Sequence, residues 1–112
     1  MSYQEDKLSP AVADMHRAIK SLMEELEAVD FYNQRADVCH DPELKKILAH
    51  NGNEEKEHAG MLLEWIRRHD PTFDHELKDT LFKEGEISVA AQRAAKVAKR
   101  RMAFQIRTGC AA

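Results

Sequence analysis

Asn51 to Ile66 reads NGNEEKEHAGMLLEWI, and the spacing of its residues decides the fold. Traced back to Leu44, it sets Leu44, Leu48, Asn51, Glu55, His58, Leu62 and Trp65 at steps alternating between four and three. That alternation is the seam of one helix packed along another. The seam begins and ends apolar, but its middle is Asn51, Glu55 and His58. Glu55 and His58 stand three residues apart, so they project from the same side of the helix. A carboxylate is almost never buried unless it is paired or bound to a metal. On a solvated helix face a Glu-x-x-His pair is commonplace and binds nothing. Inside an apolar seam it becomes a candidate metal site.

Two helix starts frame this stretch. Ser9-Pro10 and Asp41-Pro42 each place a capping side chain before a proline at the first helical position. A first helix is expected over Pro10–Val38 and a second over Pro42–His69, with residues 1–8 flexible. Arg67, Arg68 and His69 fill the second helix's last turn, where positive charge is favourable, and Pro71 is expected to stop it. The short link between the helices makes them antiparallel neighbours. The first helix has its own stripe of Met15, Ile19, Leu22, Leu26 and Val29. Glu25 flanks that stripe, and Tyr32 follows on the same side. Gly52 and Gly60 each cost about 1 kcal/mol inside a helix, and Gly60 is the candidate for close helix approach.

A short helix is expected over 73–83, with Phe73, Leu77, Leu81 and Phe82 as its apolar side and Gly85 as its end. A last helix is expected over 88–106, with Val89, Val97 and Phe104 and the basic residues Arg93, Lys96, Lys99, Arg100, Arg101 and Arg107. Such a run can touch a phosphate backbone, but it reads more simply as a solvated face that balances an acidic body. The fold class is all-α: an antiparallel two-helix hairpin plus short C-terminal helices, in one domain over 1–112.

Composition narrows the function classes. A chain of 112 residues is one domain at most, and a hairpin of this size cannot bury much core alone. A formal net charge of -3 gives no global argument for a nucleic-acid partner. There is no apolar run long enough to span a membrane and no signal-like opening, so a cytoplasmic protein is expected. The two cysteines, Cys39 and Cys110, are no disulfide framework and fit free thiols in a reducing compartment.

The long helices together offer half a metal site. Helix one supplies Glu25, and helix two supplies Glu55 and His58. A carboxylate-bridged di-iron site in a four-helix bundle needs such a set twice. Two chains are therefore expected to meet across a two-fold axis, binding about one iron per chain. Carboxylate and imidazole ligands suit Fe(II), and two adjacent irons can pass two electrons to dioxygen. The expected chemistry is Fe(II) oxidation. Without metal the gathered carboxylates repel one another, so assembly is expected to depend on metal. The alternatives are a non-catalytic divalent-metal-binding protein, since these ligands accept several ions, and a metal-free structural helical oligomer in which the polar residues fix register.

The stretches MEELEAVDFYNQRAD and LAHNGNEEKEHAGMLLEWIRR resemble the encapsulated ferritins, and the likeness runs from about His16 to Gly85. The resemblance implies that each chain is a helical hairpin and that two chains form a ferritin-like four-helix bundle holding a di-iron ferroxidase centre. Five such dimers would form an annular decamer. It places the ligands on Glu25, Glu55 and His58, implies a weaker second metal site at Glu24 and Glu27, and sets Tyr32 close to the centre. It also implies that the chain oxidises iron for storage inside an encapsulin nanocompartment. Two departures stand out. Phe31 replaces a family tryptophan, and the end of the chain, Arg107 to Ala112, does not match the family's Gly-Ser-Leu-like loading peptide. The basic last helix is then a candidate for docking on an acidic lumen.

Overall fold

The computed structural model describes residues 7–108, apart from the side chains of 89–95 and 107–108. The described residues form α1 (Pro10–Val38), α2 (Pro42–His69), α3 (Pro71–Thr80) and α4 (Val89–Thr108), with no strand among them. None of these helices is long and apolar enough to cross a membrane. Packing groups the chain into two compact units, Met1–Asp74 and His75–Ala112.

The helix starts follow from local chemistry. The Ser9 hydroxyl accepts from the Val12 amide at 3.3 Å, and Asp41 Oδ1 accepts from the Leu44 amide at 2.8 Å. Each cap satisfies a donor that the first turn leaves without a partner. Both long helices keep the expected bounds. The link between them is Cys39 to Asp41, where the Cys39 thiol donates to the Asp41 carbonyl at 3.6 Å. Cys110 lies outside the described residues.

The expectation for α3 needs correction. It begins at Pro71 rather than Phe73 and ends at Thr80 rather than residue 83. Pro71 opens α3 instead of merely stopping α2. Asp70 is its cap: the side chain accepts from the Phe73 amide at 3.0 Å, and its carbonyl accepts from the Asp74 amide at 2.9 Å. After α3 the backbone enters the left-handed region at Phe82, with φ of 56°, ahead of Gly85 at 90°. α4 runs to Thr108, two residues beyond the expected end.

α1 and α2 pack against each other through small residues. The buried positions are Ala13 and Ala18 on α1, and Gly52, Ala59 and Ile66 on α2. Ile66 is the one large side chain fully buried among the described residues, at 1% exposure. Gly52, Ala59 and Ile66 are seven apart, one residue after Asn51, His58 and Trp65. The α2 contact face is thus turned by one residue from the expected seam, and Leu44, its expected start, is exposed. Likewise Ile19 and Leu26 of the α1 stripe are exposed, Leu26 at 56%, beside exposed Val12 and Met23. The hairpin closes on alanine and glycine and leaves an apolar flank of large side chains on α1.

The close approach occurs at Gly52 and not at Gly60. A Cβ on Gly52 would lie 3.1 Å from the Tyr32 Cβ, whereas one on Gly60 would meet nothing within 4 Å. Ionic contacts hold the α2–α3 corner. Glu64 accepts from Arg67 in two 2.7 Å bonds and from Arg68 at 2.6 Å, and Arg67 also donates to Asp74. In the second unit, Asp79 pairs with Lys96 at 2.9 Å and with His75 at 3.3 Å.

Candidate metal centre

The antiparallel register carries Glu25 to the Glu55–His58 turn. Stepping seven residues along α1 from Glu25 leads to Tyr32. Stepping six residues back along α2 from His58 leads to Gly52, the residue against Tyr32. The Gly52–Tyr32 approach therefore sets the height at which Glu25 meets His58.

Glu25, Glu55 and His58 each offer one ligand atom, and these atoms all lie within 4.8 Å of one another. Among the described residues this is the one such group of three or more histidine, cysteine or acidic side chains. His58 Nδ1 lies 3.3 Å from Glu55 Oε2 and 3.6 Å from Glu25 Oε2. The side chains of Glu25 and Glu55 are 25% and 24% exposed, and that of His58 is 44% exposed. The cluster thus sits at the edge of the hairpin interface, not in its middle.

Its electrostatics are those of two acids competing for one base. A hydrogen bond to Glu55, with partial desolvation and the Glu55 charge, holds the Glu25 carboxyl above its ordinary value, against the pull of His58. The same bond holds Glu55 below its ordinary value, and His58 adds to that effect. Desolvation works against the charged imidazole of His58. The Glu55 hydrogen bond and the charges of Glu25, Glu55 and Glu54 outweigh it, so the His58 pKa is raised. The pair therefore favours a proton on Glu25 and charge on Glu55, with His58 as counter-charge. The cluster could offer a cation two oxygen ligands and one nitrogen, a set that suits first-row divalent metals.

Glu24 and Glu27 are exposed and lie outside the cluster. Tyr32 is half-buried, two helical turns from Glu25. Periodicity does not reveal Arg35, whose guanidinium lies over both Tyr32 and Phe31, 5.4 Å and 5.8 Å from the ring centroids. The i, i+3 and i, i+4 spacing of aromatic and arginine is the signal that would find it. His50 and Glu54 form a separate exposed pair at 3.3 Å.

Comparison with known proteins adds relatives to this geometry. The sequence model of the EncFtn-like family matches residues 1–84. An encapsulated ferritin-like protein of Rhodospirillum rubrum is 57% identical over 81 residues, which cover 72% of this chain and 58% of that protein. A ferritin-like protein of Thermotoga maritima is 49% identical over 75 residues, covering 67% of this chain and 66% of that one. The chain thus spans less than two thirds of either curated relative. The crystal structure of a protein from Nitrosomonas europaea superposes with a TM-score of 0.76 at 64% identity, covering 79% of this chain and 97% of that chain.

Proposed function

The chain belongs to the EncFtn-like family, and on that premise we propose that it is a ferroxidase whose centre is shared between two copies. The observation that carries this reading is the placement of the cluster. Glu25, Glu55 and His58 converge at the edge of a hairpin whose α1 leaves Val12, Ile19, Met23 and Leu26 exposed. A second copy laid against that flank covers the apolar side chains and brings a second ligand set to the first. The result is a four-helix bundle with about one iron per chain.

Iron is the substrate. Two Fe(II) ions would lose one electron each, and dioxygen would accept both electrons with two protons from solvent to leave as hydrogen peroxide. Glu55, held below its ordinary value, supplies the readier carboxylate, and His58, held above its ordinary value, would have to be neutral to bind iron through a ring nitrogen. Two copies without metal set four carboxylates around one axis, so iron favours the paired state by mass action. The description of the Rhodospirillum rubrum relative as encapsulated supports residence inside an encapsulin compartment in the cytoplasm; assembly of the dimers into an annular decamer and a second metal site at Glu24 and Glu27 are carried over from the family resemblance alone.

Native mass spectrometry with and without Fe(II), paired with oxygen uptake, tests the assignment. The wild type is expected to bind about one iron per chain in assemblies with an even number of chains, and to consume oxygen. Glu55→Ala and His58→Ala are each expected to abolish tight iron binding. Unchanged iron stoichiometry in both variants would refute the site. Iron bound without oxygen uptake would convert the reading to a metal-binding protein that does not turn over.

A further inference from the structure

Two-electron reduction of dioxygen yields peroxide, and one thioether stands beside the cluster. Met61 follows His58 by three residues on α2, so the two share a side of the helix with Cβ atoms about 5–6 Å apart. Long side chains on a helix lean toward its N-terminus, which carries the Met61 sulfur back over the turn that holds His58. Met61 is 60% exposed, and the side chain of His58 is 44% exposed. Gly60, next to Met61, has nothing within 4 Å of where a Cβ would stand. The imidazole and the sulfur are both open to a small molecule passing between them.

The other sulfur atoms of the described residues are placed less well. Met15 is half-buried and lies ten residues before Glu25, about 15 Å along α1. Met23 stands two residues from Glu25, a spacing at which side chains do not face each other, and it belongs to the apolar flank assigned to the second copy. Cys39 is half-buried in the link ahead of α2, and the run from Pro42 to His58 alone is about 24 Å. Met102 matches Met61 in exposure, at 63%, but shares no helix with a ligand.

We infer that Met61 is the residue that takes up peroxide made at the Glu25–Glu55–His58 cluster, becoming methionine sulfoxide. The inference rests on the ferroxidase reading, because that reaction supplies the oxidant. The Met61 sulfur gives an electron pair to one peroxide oxygen. The O–O bond breaks, a sulfur–oxygen bond forms, and the second oxygen leaves with both protons as water. Sulfur is oxidised by two electrons and peroxide is reduced by two, so a pair of Fe(II) ions yields one sulfoxide at most. A flexible apolar side chain becomes a polar, chiral one.

The test loads the full-length protein with Fe(II) under isotopically heavy dioxygen, with catalase present to clear peroxide from bulk solvent. Oxygen uptake is recorded, and the peptides are read by mass spectrometry. Heavy oxygen should appear at Met61 about tenfold or more above Met102, because a neighbouring sulfur meets the peroxide before it disperses. Unlabelled peroxide added to the iron-free protein should oxidise the two within about twofold of each other, as their similar exposure dictates. Glu55→Ala should lose the heavy label at Met61 yet still react there with added peroxide, and Met61→Leu should keep the wild-type oxygen uptake. Oxygen uptake with Met61 unlabelled, or with Met61 and Met102 labelled equally, would overturn the inference and leave the ferroxidase reading standing. Absence of oxygen uptake by the wild type would overturn both.

Discussion

Gly52→Ala sets two effects against each other within a single methyl group. Alanine in a helix interior is worth about 1 kcal/mol more than glycine. The new Cβ, however, would sit 3.1 Å from the Tyr32 Cβ. Both atoms are fixed directly to backbone, so no side chain can swing away and the helices themselves must part by a few tenths of an ångström. Overpacking of this kind costs about 1–3 kcal/mol, so the net change runs from neutral to a loss of about 2 kcal/mol. Gly60→Ala is the control. It lies in the same helix and receives the same propensity gain, but its Cβ meets nothing within 4 Å. The two variants should therefore differ by about 1–3 kcal/mol in urea unfolding of the metal-free protein at one fixed concentration. For a domain of this size that is a gap of roughly 5–20 °C in Tm. Gly52 is also three residues from Glu55, so the displacement reaches the cluster, and iron affinity should drop in Gly52→Ala but hold in Gly60→Ala. Equal stabilisation by both substitutions, with iron binding intact, would refute the idea that the Tyr32 contact sets the height of the site.

Two further outcomes follow from the charges. The His58 pKa is raised above its ordinary 6.5, so its contribution to the metal-free fold is fully present below pH 6.5 and lost as pH climbs through the raised value. Tm of the metal-free protein should fall across that window, iron affinity should rise across it as the proton leaves, and His58→Ala should flatten the Tm slope. Glu64 is held down at about 2 by Arg67 and Arg68, so its contribution is present above the ordinary value of 4.5 and lost as pH falls through about 2. Glu64→Gln should remove that acid sensitivity and speed amide exchange at the α2–α3 corner; an unchanged acid transition would show that the corner does not rest on this ion pair.

What could be read from the sequence was mostly local. Ser9-Pro10 and Asp41-Pro42 placed both long helices because a cap and a preset φ act within one turn. Asp70-Pro71 is the same signal a third time, and it carries two meanings, because a proline that ends one helix also begins the next. The seam on α2 was legible to within one residue. Periodicity follows large apolar residues, but this hairpin closes on Gly52, Ala59 and Ala18, and its large side chains stay on a flank. The cluster of Glu25, Glu55 and His58 was legible because Glu55 and His58 stand three apart within the apolar seam of α2 and Glu25 flanks the stripe of α1. The Gly52–Tyr32 approach and the Arg35 contacts were not, since they depend on how far apart the two axes lie.

The link between α1 and α2 is three residues long, and that length orders events in time. Each long helix has its own capped start, and the turn between them closes almost no loop, so hairpin formation draws on local contacts and is unimolecular. Bringing Glu25 to His58 belongs to that fast step. Meeting a second copy is bimolecular, and dilution slows it alone. A newly made chain can therefore bring its three candidate ligands together by itself, and any pairing of copies comes after that step.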